Sequence, residues 1–519
     1  MNATWIRIIR TWFAAAALVA AMLASPHAAP QAPAVVKQAP AAVKQAPAAT
    51  KPVTPAAQPA PIDRTKIPPA GTPPVLRVPT WTKSTLANGA ELIVSEKHGL
   101  PIVSFALRLQ GGAAQYEPAD KRGLARLATS MLSEGTRARD GEALSNAMQV
   151  LGTTISASIG PEYGNIGFVS STGKFAASLD LVADMMLNST FPAEALERLR
   201  AQQLVALTQA KAQPRSVAAR VFPRVLYGAA HPYGAMTTEA SLKAITRDDV
   251  VAFVKGFLQP GRALVVVVGD VNAASVKATL DEAFAGWTAG GSRPTFDYPA
   301  VPEKRPTTIY LVDKPGAAQS TFAIGLPGPP RLTADYYAIE VMNTMLGGFF
   351  QSRLNANIRE EKGYSYGVSS RFAYGKGPGA FQAGGDIVSE KTDAALIEFM
   401  KELKGIQGAR PVTDEELKTA KDALVQGLPA GFEGVGGISG SITGLWMQDL
   451  PDAYYQQYGT KVAAVTKADV LRVAKQYIDL DHLNIVIVGD RATIEGPLKA
   501  TGIAPIVVLD IEGNPVSGK

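Results

Sequence analysis

The chain contains no cysteine, so neither a disulfide framework nor a lipid-anchored cysteine is open to it, and its 519 residues must be held together by their core. Histidine is nearly as scarce: the four are His27, His98, His231 and His482. The last three lie more than a hundred residues apart, which gives little reason to expect a metal site built from them. His231, in the turn-like HPYG at 231–234, reads as a residue that fixes a loop, and His98 and His482 read as surface turn residues. Acidic residues are missing from 1–62, where Arg7, Arg10, Lys37, Lys44 and Lys51 stand; the rest of the chain holds 46 basic and 45 acidic residues. The formal charge of +6 is thus carried by that N-terminal stretch. A near-neutral body makes no electrostatic case for nucleic acid.

The N-terminal stretch reads as an address. Arg7 and Arg10 precede the apolar run Trp12–Leu23, too short to cross a bilayer as a helix, and small residues follow at Ala24, Ser25, Ala28 and Ala29. That order is a secretory signal peptide, expected over 1–29, with an uncleaved anchor as the alternative. The chain is therefore expected in the periplasm without stable membrane insertion. Residues 30–74 follow as a Pro/Ala-rich linker, with VKQAPAA in tandem at 36–42 and 43–49. Such a composition cannot build a core and predicts an extended, semi-rigid spacer.

The remainder is built on a repeat. TRDDVVAFVKGF (246–257) and LVVVVGD (264–270) resemble TKADVLRVAKQY (466–477) and NIVIVGD (484–490), each pair offset by 220 residues. VSFAL (103–107) matches STFAI (320–324) and ATSML (128–132) matches MNTML (342–346), in the same order. Two similar halves are expected, at 75–298 and 303–510. Within each, β-branched alternation and helical spacing are mixed without strict βαβ order. This predicts an α+β fold with helices on one face of mainly antiparallel sheets. ELIVSEKHGLPIVSFALRL (91–109) reads as a hairpin, and helices are expected over Ala125–Leu132, Phe175–Leu187 and Pro192–Ala210. GLPAGFEGVGGISG (427–440) lacks the GK[ST] ending of a phosphate loop and reads as a flexible or tightly turned loop.

Taken together, the duplicated halves, GLARLATSMLSEGT (123–136), HPYG and LGGFFQSRLNANIREEKGYSYGVSS (346–370) resemble the pitrilysin/insulinase/mitochondrial processing peptidase superfamily over about residues 75–510. The resemblance implies a clam-shell, processing-peptidase-like arrangement. Members of that family carry H-x-x-E-H on the first long helix, with a Glu farther on. Two His four residues apart on one helix face ligate Zn²⁺, and the intervening Glu serves as base on the metal-bound water. The corresponding positions here are Arg126, Thr129 and Ser130, and Ala206 stands about where the further Glu belongs. A guanidinium repels a cation, and a hydroxyl is neither a good zinc ligand nor a carboxylate base. No Asp or Glu occurs between Glu197 and Glu239 to rescue the site. No cofactor is expected in this chain.

In the family, the second half contributes an Arg and a Tyr that reach the substrate at the zinc; by motif these are Arg359 and Tyr366, with Arg353 and Tyr364 as near alternatives. A helix over Ser352–Lys362 ending at Gly363, then a strand over 364–370, would place Arg359 on the last turns and Tyr366 beside it. Both are donors suited to a developing oxyanion. The competing structural reading pairs Arg359 with Glu360 or Glu361. The resemblance thus implies the non-catalytic subunit of a heterodimeric zinc endopeptidase acting on peptides. Zinc would reside in a homologous partner subunit bearing H-x-x-E-H. The alternative is an inert peptide-binding, scaffold or regulatory protein of the cell envelope.

Overall fold

A computed structural model of the chain describes residues 76–288 and 290–516. The expected leader and the whole of the spacer lie outside the described residues. Two six-stranded sheets organise what is described. The first runs β1-β2-β6-β3-β5-β4, with β1 Thr82–Thr85, β2 Glu91–Glu96, β3 Ile102–Gln110, β4 Ser156–Ile159, β5 Tyr163–Ser171 and β6 Ala263–Gly269. The second runs β12-β7-β11-β8-β10-β9, with β7 Thr308–Asp313, β8 Gln319–Gly328, β9 Ser365–Ala373, β10 Gly379–Val388, β11 Asn484–Gly489 and β12 Ile506–Leu509. Five strands of each sheet follow the same order, and most neighbours are antiparallel, as expected of an α+β duplication. The sixth strand differs: β1 pairs antiparallel with β2 from the N-terminal side, whereas β12 arrives from the C-terminus and pairs parallel with β7. The repeated helix starts match too. Thr246 and Thr466 each cap a helix in a reciprocal pair with Asp249 and Asp469.

The expected hairpin over 91–109 does not form. β6 lies between β2 and β3, parallel to the first and antiparallel to the second. Every residue of β6 (ALVVVVG) is buried, so it needs neighbours on both edges and cover on both faces, and a central position provides them. β11 divides β7 from β8 in the same way.

One face of each sheet packs on helices of its own half. In the first half these include α1, Leu124–Met131, and α2, Ala193–Ala212. The opposite faces are covered by exchange. α3, Pro214–Tyr227, belongs to the first half, yet its Val217, Val221 and Phe222 pack on Val312, Ala323, Val486 and Val488 of the second sheet. α4, Val435–Met447, belongs to the second half, and its Val435, Ile438, Ile442 and Trp446 pack on Ile93, Leu264, Val266 and Val268 of the first. The two helices are about one repeat offset apart, so they are equivalent elements traded between halves. The loop reading of 427–440 holds for 428–434, a run of turns around the short 3-10 segment Pro429–Phe432, but α4 overturns it from Val435 onward. Gly436, Gly437 and Gly440 are helical, and the segment is held by apolar packing despite a composition that disfavours helix. Gly437 has a steric reason to be glycine: a Cβ there would lie 2.6 Å from the Gly431 carbonyl oxygen.

A polar contact also joins the halves. The Glu162 carboxylate accepts from the Lys376 amide (2.9 Å), the Gly377 amide (3.2 Å) and the Tyr233 hydroxyl.

Candidate functional site

The segment that resembles a metal helix keeps the local structure such a helix needs. Gly123 opens α1 at φ +104°, a conformation costly for any residue with a Cβ. The Glu117 carboxylate caps the first turn, accepting from the amides of Gly123 (3.1 Å) and Ala125 (2.7 Å). Burial pushes the Glu117 carboxyl up, and those two amides together with Arg122 counter it in part. Beyond the helix, Thr136 donates to Asp184 (2.8 Å) and accepts from the Arg139 amide (3.1 Å), closing the turn. Leu124, Leu127, Ala128 and Met131 face the core. The other face carries Arg126, exposed, with Thr129 and Ser130 half-buried.

These residues do not fit a zinc ion. The Thr129 hydroxyl is turned back on its own helix, donating to the carbonyls of Ala125 (3.1 Å) and Arg126 (3.0 Å). α2 packs beside α1, but it brings Ala206, exposed, and no carboxylate, to the third-ligand position. Among the described residues no group of three or more His, Cys, Asp or Glu could hold a metal. His231 is a turn residue, as read. It is buried, accepts from the Tyr233 amide at Nδ1 (3.1 Å), donates from Nε2 to the Pro299 carbonyl (3.1 Å) and stacks on Tyr227. His98 is exposed beside Asp270 (2.8 Å), and His482 is half-buried beside Asp479 (2.8 Å).

The second-half motif is brought together as its spacing implied, with one difference. Arg353–Asn355 forms a short helical turn, and Ala356–Glu361 continues as a wider π-type turn rather than a regular helix. Buried polar side chains tether this segment to its neighbours. Asn357 donates to Glu398 (2.8 Å) and Glu402 (2.8 Å), and Asn355 donates to the Phe350 carbonyl (2.8 Å) while accepting from the Val368 amide (3.3 Å). Gly363 ends the segment at φ +65°, with Tyr364 donating back to the Ile358 carbonyl (3.0 Å).

Of the alternatives, Arg353 is fully engaged elsewhere. It is 4% exposed and donates to both Glu416 oxygens (2.7 and 2.8 Å) and to the carbonyls of Arg410 (3.0 Å) and Pro411 (3.5 Å). Tyr364 packs against the second core. Arg359 and Tyr366 remain accessible. The Arg359 guanidinium carbon lies 4.4 Å from the Phe350 ring and 5.3 Å from the Tyr366 ring. Its Nε is 3.4 Å from Glu360, an exposed and weak pair. Tyr366 is 91% exposed on β9, an edge strand, because a bulge interrupts the β9–β10 ladder there. Ser365 fills that gap, its hydroxyl donating to the carbonyls of Gly367 (3.0 Å) and Asp386 (2.7 Å), and the chain turns the ring outward. Phe350, the platform under Arg359, was missed in the sequence; LGGFF offers two adjacent aromatics, and only the structure shows that Phe350 is the exposed one.

Two family models match consecutive stretches, "Insulinase (Peptidase family M16)" over residues 92–231 and "Peptidase M16 inactive domain" over 244–424, together more than half the chain. The chain belongs to the insulinase (M16) peptidase family. Within it, the lost metal positions make this chain of the non-zinc-binding type. Among curated relatives, an uncharacterized zinc protease of Mycobacterium leprae is 24% identical over 359 residues, 68% of this chain and 79% of that one. A Helicobacter pylori protein described as a non-peptidase homolog is 22% identical over 403 residues, 77% of this chain and 92% of that one. The crystal structure of a peptidase M16 inactive domain from Pseudomonas fluorescens shares the fold, with a TM-score of 0.71 and 24% identity, covering 79% of this chain and 98% of that one. No helix among the described residues is long and apolar enough to cross a membrane.

Proposed function

We propose that this M16 chain is the non-catalytic subunit of a heterodimeric periplasmic zinc endopeptidase. It would pair with a homologous subunit that carries H-x-x-E-H and act with it on peptides. The observation that carries this reading is the contrast between the two motif sites. The metal positions are occupied by groups that cannot ligate, while Arg359 and Tyr366 stand together, accessible, on a segment whose buried side chains fix it. Hydrolytic chemistry belongs to the partner. This chain contributes a fixed cation from Arg359 and a hydroxyl donor from Tyr366, aimed at the oxyanion that develops on the scissile carbonyl. A peptide adding as a strand to an exposed sheet edge would be held by backbone hydrogen bonds with loose sequence preference, and β9 is such an edge beside Tyr366. In the assembled pair, Arg359→Ala is expected to lower turnover about a hundredfold or more, the scale of a lost oxyanion donor. Unchanged turnover in a pair that still assembles refutes the role of Arg359.

A second reading, an inert peptide-binding, scaffold or regulatory protein, is favoured by the Arg359–Glu360 contact, which offers the guanidinium a partner within its own chain. Under it, the same substitution leaves every activity of the assembly unchanged.

A further inference from the structure

Several partly buried cations among the described residues lack an ion pair, and one of them, Arg108, stands beside open space. Arg108 lies on β3, and strand alternation places it with Ser104 and Ala106 on the face opposite Phe105, Leu107 and Leu109, which pack in the core with α1. Among the described residues its side chain forms no ion pair, and its Nε is buried without a hydrogen-bond partner. Burial pushes its guanidinium down from the ordinary value, and no neighbouring carboxylate offsets that. Glu162, which borders the same region, is already taken by Tyr233 and two backbone amides. A partly buried cation left unpaired is expensive, and such a group is explained when a ligand supplies the opposite charge.

The space around Arg108 suits a ligand. It borders an open cavity of about 680 Å³, and with Asn165, its partner in register on β5, it also borders a second one of about 550 Å³ between the halves. The larger cavity is lined on one side by Thr153, Ser156 and Asn165, and on the other by Gly436, Ser439 and Gly440 of α4. A Cβ at Gly436 or Gly440 would meet nothing within 4 Å, so the glycine-rich run leaves this wall open rather than packed. The volume falls in the range of ordinary small-ligand sites, and the lining offers hydroxyls and an amide beside the fork of the guanidinium.

We propose that this cavity is a binding site for a carboxylate of a short peptide, received by Arg108 and walled by the glycine face of α4, on the side of the first sheet away from α1. The carboxylate follows from Arg108; the choice of a peptide to bear it rests on the reading above. The carboxylate comes from the peptide's C-terminus or from an acidic side chain, and the two sources are separable.

The test titrates the isolated, unpaired chain by calorimetry with three probes: Ala-Phe-Ala, its C-terminal amide, and the acetylated amide Ala-Glu-Ala. Binding of the free acid about tenfold or more tighter than its amide assigns the terminal carboxylate, and preferential binding of the Glu peptide assigns the side chain. Arg108→Gln should abolish either preference, with a thermal midpoint unchanged or higher, because it removes an unpaired charge. Gly440→Leu, which points into open space, should weaken the carboxylate probes while leaving the chain folded. Equal affinity for acid and amide with no preference for Glu, no binding of any probe at 10 mM, a preference that survives Arg108→Gln, or a lowered midpoint in that variant each overturns the proposal. Activity of the assembled pair tests the Arg359 reading separately, since Arg359 is no part of this cavity.

Discussion

The exchange of α3 and α4 makes a quantitative demand on Ile438. This side chain is fully buried on α4, against Ile93, Leu264, Val266 and Val268 of the other half's sheet. α4 contains Gly436, Gly437, Gly440 and Gly444, each costing about 1 kcal/mol relative to Ala in a helix interior, so intrinsic propensity cannot hold it. Its apolar contacts must. Truncating a fully buried Ile to Ala costs about 2–5 kcal/mol, and the upper part of that range is expected here because β strands flank the site and cannot collapse into the void. Ile438→Val should cost about 1 kcal/mol. Gly440→Ala, whose Cβ meets nothing within 4 Å, should gain up to about 1 kcal/mol. Urea unfolding followed by far-UV circular dichroism and by tryptophan fluorescence measures all three. Trp287 reports on the first core and Trp446 on the α4 interface. Because each half covers the other's sheet, both probes should give one coincident transition. A cost below about 1 kcal/mol for Ile438→Ala, or two separated transitions of which only one shifts, would refute the exchanged helices as the coupling between halves.

Arg353→Ala removes the buried partner of a half-buried carboxylate and should cost about 1–3 kcal/mol, measured by the same unfolding curves. Burial alone would raise the Glu416 carboxyl, but Arg353 and the Thr413 amide outweigh it and hold it below its ordinary 4.5; Glu398 is likewise held down, with Asn357 and Lys401 outweighing burial. A carboxyl depressed in the fold gives stability that is complete above its unfolded value and lost as pH falls through the folded one. The wild-type chain should therefore weaken progressively below about pH 4.5, and Arg353→Ala should flatten that limb; an unaltered acid limb contradicts the pairing. Elemental analysis of the purified chain should find zinc well below one equivalent. The variant combining Arg126→His, Thr129→Glu, Ser130→His and Ala206→Glu should take up about one, since α1 keeps its cap and α2 lies beside it. Stoichiometric zinc in the unaltered chain contradicts the lost-metal reading.

The sequence was legible where its signals were local or repeated. The 220-residue offset between TRDD and TKAD reappears as matching Thr–Asp caps, and the motif frame at 346–370 places Arg359 and Tyr366 side by side. It was opaque where distant segments decide. No local pattern at 91–109 reveals that a strand more than 150 residues later slips between β2 and β3. The run at 427–440 looked like a loop because glycine disfavours helix; 428–434 is one, and from Val435 onward packing on the sheet of the other half makes it helix. Arg353 and Arg359 could not be told apart by spacing; burial against Glu416 separates them.

The claim at the centre is that this chain completes a peptidase it cannot form alone. Affinity purification of the tagged mature chain from its own cell envelope, with co-purifying proteins identified by mass spectrometry, tests it most directly. The account predicts a near one-to-one partner of the same family carrying an intact H-x-x-E-H. Recovery of the chain alone, or paired only with itself, contradicts it.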